Sequence, residues 1–97
     1  MAYKILLLPE ARIEIADTAI FYKQFSDELS SVLFTKLYQS LSLAAEDPQL
    51  FQADRNGFRK INLKRFPYKI VFKISGDSIV VMALAHHKQR PGYWKNR

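Results

Sequence analysis

The sequence predicts one α+β domain over residues 1–97. A two-helix hairpin packs on a small curved, mainly antiparallel sheet, in the order β-α-α-β-β-β. Three observations carry this. Leu29, Leu33, Leu37 and Leu41 recur every four residues, the spacing of one helix face. Three runs in the second half, "FRKINLK", "YKIVFKI" and "SIVVMALAH", have strand character, and the first two alternate apolar with polar residues. The connections "RFP" and "SGD" are short enough for hairpins.

The first run, "YKILLL" (3–8), is extended in character and apolar on both faces, so it is expected inside the sheet or under the helices. Pro9 suits a first helical turn, where its missing N–H costs nothing, and Glu10 suits that positive end. Ile13, Ala16, Ala19/Ile20 and Tyr22/Phe25 then recur at helical spacing as the expected inward stripe, with Arg12, Glu14, Asp17 and Lys23 mostly between them. Ser26 or Asp27 caps the second helix. Its leucine stripe, flanked by Val32 and Ala44, reads as core, and Pro48 stops it. Two helices joined by so few residues fold back on each other. "PQLFQADRNG" reads as a loop, with a turn at Asn56-Gly57.

In the first meander strand (58–64) Ile61 and Leu63 face one way, and Lys60, Asn62 and Lys64 the other. In the second (68–74) Tyr68, Ile70, Phe72 and Ile74 oppose Lys69, Val71 and Lys73. The third (78–86) is apolar almost throughout, as a central strand would be.

Composition excludes several classes. Cysteine is absent, which removes disulfides and thiolate zinc sites and points to a reducing cytoplasm. No apolar run reaches the ~18 residues that span a bilayer, so no membrane partner is expected. The second half holds only two carboxylates, Asp54 and Asp77, too few for paired acid–base work. His86 and His87 are adjacent and point to opposite faces of a strand, a poor metal pair. No phosphate-binding glycine loop is present. No cofactor is expected.

Charge is the informative quantity. The net charge is +6, but residues 1–50 carry −3 and residues 51–97 carry +9. Such asymmetry suits a polyanionic partner, or a solvated basic face. If Ile61, Leu63, Ile70 and Phe72 face the helices, then Lys60, Lys64, Lys69 and Lys73 share the other side. The tail "AHHKQRPGYWKNR" adds Lys88, Arg90, Tyr93 and Trp94 beside it. That arrangement binds phosphates and stacks bases, unless the lysines only solvate the sheet and the aromatics cap the core.

Residues 59–94, above all "RFPYKIVFKI" and "IVVMALAHHKQRPGYW", resemble the C-terminal half of RelE/ParE-family toxins of bacterial type II toxin–antitoxin modules. The element order extends the likeness over nearly the whole chain. The resemblance implies a toxin neutralised by a cognate antitoxin, which reaches operator DNA only through that antitoxin. It leaves two targets, DNA gyrase for ParE-like members and the ribosome with its mRNA for RelE-like ones, beside a third reading as a non-toxic basic interaction domain. For the RelE-like nucleases it implies lysines and an arginine on the middle strands, with an arginine and a tyrosine in the tail. Lys60 matches one lysine, Asn62 stands at the second, Lys69 stands at the strand arginine, and Arg90 and Tyr93 fill the tail positions.

Asn62 cannot act as a base, and lysine cannot grip phosphate as a two-pronged arginine does. The incomplete set favours the ParE-like, non-nuclease side. Target binding is then expected from Lys64, Arg65, Lys73, His86, Lys88, Trp94 and Arg97. Deleting residues 88–97 is expected to abolish toxicity and leave a folded domain.

Overall fold

The computed structural model describes residues 2–97. Strand β1 (Lys4–Leu7) leads into helix α1 (Pro9–Lys23), helix α2 (Asp27–Glu46) and a single 3-10 turn at Pro48–Leu50. Strands β2 (Arg59–Asn62), β3 (Tyr68–Ser75) and β4 (Ser78–His86) follow, and the sheet order is β1-β4-β3-β2. The three meander strands pair antiparallel and β1 pairs parallel with β4. Among the described residues no helix is long and apolar enough to cross a membrane.

The α2 signals act as expected. Ser26 is the N-cap, and its hydroxyl oxygen accepts the Leu29 N–H at 3.0 Å. Leu33 and Leu37 are buried, and Leu29, Val32 and Leu41 pack beside them. The β3–β4 hairpin turns through Gly76 at φ +59°, a conformation that residues with a side chain rarely adopt. The β2–β3 connection passes through Arg65 at φ +77°, a conformation uncommon for a residue with a side chain.

Two expectations fail for the same reason: apolar residues on both faces do not tell which face is covered. Strand β1 lies at the sheet edge, and Ile5 and Leu6 are 42% and 52% exposed. Helix α1 turns Ala11, Ile15, Thr18, Ala19 and Tyr22 inward. Ile13, Ile20 and Phe25 instead face solvent. Glu14, expected between the apolar positions, points toward β4.

Strand β4 is interrupted. Val71 pairs with Ala83 but Phe72 pairs with Val81, so Met82 is an extra residue. Such a bulge shifts the alternation by one. Ile79, Val81 and Leu84 face the helices, whereas Met82 and Ala83 both join the cluster on the opposite face.

Candidate functional site

The sheet face turned away from the helices carries the site. Cross-strand partners share a face, and Lys60 pairs with Val71. Lys60, Lys69, Val71 and Lys73 therefore lie together. Val71 is fully buried, because Phe58 and Trp94 pack over it with Met82, Ala83 and Ala85. The lysines ride on this aromatic layer. The ammoniums of Lys60 and Lys69 each sit 5.5 Å from the Trp94 ring centroid, and that of Lys73 sits 6.0 Å from Phe58. These are cation–π distances.

The tail is fastened from the other side by Glu14. Its Oε2 accepts the Tyr93 hydroxyl at 2.8 Å, and both of its oxygens accept Arg97 guanidinium N–H groups at 2.8 Å. Its Oε1 also accepts the Leu84 N–H at 3.1 Å, while Arg97 donates to the Met82 carbonyl at 2.9 Å. The reason is topological. Strand β1 pairs with β4 only as far as Val81, so the outer edge of β4 beyond it lacks a strand neighbour. Glu14 and Arg97 supply the missing acceptor and donor. Burial, then the hydrogen bond to Glu14 and its charge, push the Tyr93 phenol well above its usual range. The Glu14 hydrogen bond, against an opposing push from burial, holds Arg97 still more firmly protonated.

Asp54 is the acid of the lysine face. It accepts the backbone N–H groups of Asn56 and Phe58 at 2.8 and 3.0 Å, and Lys60 lies 4.0 Å away. Burial works against its ionisation. The two backbone N–H groups, with Lys60 and Lys95 behind them, outweigh that and hold its carboxyl below the usual range.

The structure thus gathers Lys60, Lys69, Lys73 and Trp94. Trp94 is 2% exposed, so its ring cannot stack on a target while the tail is in place, and that expected role is corrected to packing. Arg97 is likewise occupied by Glu14 and Met82 rather than free to meet a target. His86 stands apart from this face. The bulge brings it out on the helix side, edge-on to Tyr68 at 5.0 Å, with Nδ1 accepting the Lys88 N–H. Lys64 and Arg65 are exposed in the β2–β3 turn, and Lys88 and Arg90 are exposed after β4. Tyr93 packs edge-on to Trp94 but aims its hydroxyl at Glu14.

Sequence reasoning missed Glu14 and Phe58. Phe58 was recoverable, since it shares the phase of Lys60 and Asn62. Glu14 had no signal, because its three partners, Leu84, Tyr93 and Arg97, lie 70 to 83 residues away. Among the described residues no three His, Asp or Glu side chains come together to hold a metal.

The family model described as ParE toxin of type II toxin-antitoxin system, parDE, matches residues 5–91. No curated protein matches the chain significantly. A solved structure titled "Chromosomal ParDE TA system from P. aeruginosa" superposes with a TM-score of 0.73 at 14% identity, over 88% of this chain and 96% of that one. At that identity the likeness is one of fold.

Proposed function

We propose, from the premise that this chain belongs to the ParE toxin family of type II toxin–antitoxin systems, that it arrests growth by poisoning DNA gyrase. A cognate antitoxin holds it neutral. The observation that supports gyrase over mRNA cleavage is the departure from the nuclease set, since Asn62 stands where a lysine is expected and the Tyr93 hydroxyl is engaged by Glu14. Asn62 is uncharged, and the Tyr93 hydroxyl donates to Glu14 at 2.8 Å with its phenol pushed up. A nuclease acting on the ribose 2′-hydroxyl needs a base there and an acid for the leaving oxygen. Lys60, Lys69, Lys73 and the exposed Arg90 then serve as binding groups.

The antitoxin has two surfaces to cover. The +9 charge of residues 51–97 suits an acidic segment. The helical hairpin exposes Ile13, Ile20, Phe21, Phe25, Phe34 and Tyr38, half to three-quarters open to solvent, and such apolar exposure suits an amphipathic partner segment.

The test is gyrase itself. Purified protein added to gyrase and relaxed plasmid should block supercoiling at micromolar concentration or below. Unchanged supercoiling at micromolar excess would sink this reading.

A further inference from the structure

We propose that the lysine face binds the phosphodiester backbone of duplex DNA, so that the protein grips the DNA of the gyrase complex as well as the enzyme. This rests on the gyrase reading, since gyrase works on bound duplex.

The geometry selects the ligand. The Lys60 and Lys69 ammoniums each lie 5.5 Å from one centroid, so they are no more than 11 Å apart. That upper bound leaves room for the two to meet neighbouring phosphates of a strand. Lys73 extends the row along β3, and Lys95 of the tail lies close enough to Asp54 to help depress its carboxyl. The pairing of Lys60 with Asp54 is long, at 4.0 Å, and the Lys60 side chain is 41% exposed. Such a pair is worth little and gives way to a phosphate.

Other polyanions fit less well. Single strands are held by stacking on exposed rings, but Trp94 and Phe58 are only 2% and 5% exposed. Reading of bases favours the arginine fork. The strand arginine, Arg59, faces the helix side and is bonded to the Phe51 carbonyl. A protein interface centres on an aromatic or apolar anchor and is depleted in lysine. Here the anchors are already consumed beneath the lysines. What remains is a row of point charges, the means of sequence-independent backbone contact.

The experiment is fluorescence anisotropy of a labelled random-sequence duplex titrated with the full chain between about 50 and 200 mM salt. Affinity should fall with salt at a log–log slope of roughly −3, as for three to four neutralised phosphates. Lys60→Gln with Lys69→Gln should reduce that slope by about two, and Lys23→Gln on α1 should leave it unchanged. The variants are scored only with their thermal transitions intact. An absence of duplex binding at low salt, or an unchanged slope in the double variant, would overturn the proposal. Competition by poly-glutamate as strong as by DNA would also overturn it, making the face a site for acidic protein. Gyrase inhibition without duplex binding ends this inference and spares the gyrase reading. Duplex binding at the stated slope without gyrase inhibition supports the DNA site and ends the gyrase reading.

Discussion

Trp94→Ala is expected to destabilise the protein by about 3–5 kcal/mol, the range for a buried tryptophan replaced by alanine. Domains of this size are stable by only about 5–15 kcal/mol, so the variant keeps a fraction of its margin. The melting temperature should fall by 10 °C or more, at roughly 4–8 °C per kcal/mol. The indole roofs Phe58, Val71, Met82, Ala83 and Ala85, and nothing else in that cluster replaces it. Its Nε1 is buried and finds no hydrogen-bond partner among the described residues. The contribution is therefore apolar, and Trp94→Phe should recover much of the loss. Thermal denaturation followed by circular dichroism checks both variants. A Trp94→Ala melting curve equal to the wild type would mean that the tail is detached in solution. The same burial revises the expected effect of deleting residues 88–97. That deletion strips the aromatic layer and should weaken or abolish the cooperative transition, so loss of toxicity in it says nothing about target contact.

Glu14→Ala is expected to cost about 2–3 kcal/mol and to loosen the tail. The Glu14 and Arg97 side chains are only 20% and 17% exposed. Removing the carboxylate leaves the Arg97 guanidinium and the Leu84 N–H without their acceptor, and stranded buried groups cost more than the lost bond alone. The phenol of Tyr93 supplies a second reading. Burial raises its pKa first, and Glu14 adds to the rise by hydrogen bond and charge. The variant should bring Tyr93 titration back toward the ordinary value of about 10. The sign fixes the window. A folded pKa above the unfolded one gives stability that is complete below about pH 10 and is lost as the pH climbs through the folded value. At neutral pH the wild-type clamp is therefore fully in force. Ultraviolet titration of the phenols and trypsin cleavage after Lys88 and Lys95 follow the two effects. An unchanged Tyr93 titration together with an unchanged cleavage rate would contradict the clamp.

The element order and the division of the sheet into an apolar and a lysine face were legible because period-two alternation in residues 58–74 is nearly undisturbed. Helix α2 was legible because its leucines share a single stripe. Helix α1 was legible only in part, since Ala19 and Tyr22 turn inward as expected whereas Ile13 and Ala16 do not. Ile13 and Ile20 are as apolar as Ile15, and only the position of the sheet decides which is covered. Strand β1 misled in the same way, since an apolar run does not show whether it lies at an edge. The site was half legible. Lys60, Lys69 and Lys73 followed from alternation, whereas the bulge at Met82 moved His86 to the other face. A bulge residue such as Met82 has no special composition that would announce it. Trp94 could be read either as a target group or as a cap on the core, and Arg97 as a target group, because a basic, aromatic tail carries no period that shows what it packs on. Their anchor, Glu14, lies at the far end of the chain and meets them only through the topology that leaves the outer edge of β4 beyond Val81 without a strand neighbour.

The most direct measurement of the central claim is pulse labelling after induction in bacteria lacking antitoxin, with thymidine and methionine incorporation followed side by side. Poisoning of gyrase predicts a prompt fall in thymidine incorporation while methionine incorporation continues. A prompt fall in methionine incorporation with thymidine initially unaffected would contradict it, and would return Lys60, Lys69 and Arg90 to roles in mRNA cleavage.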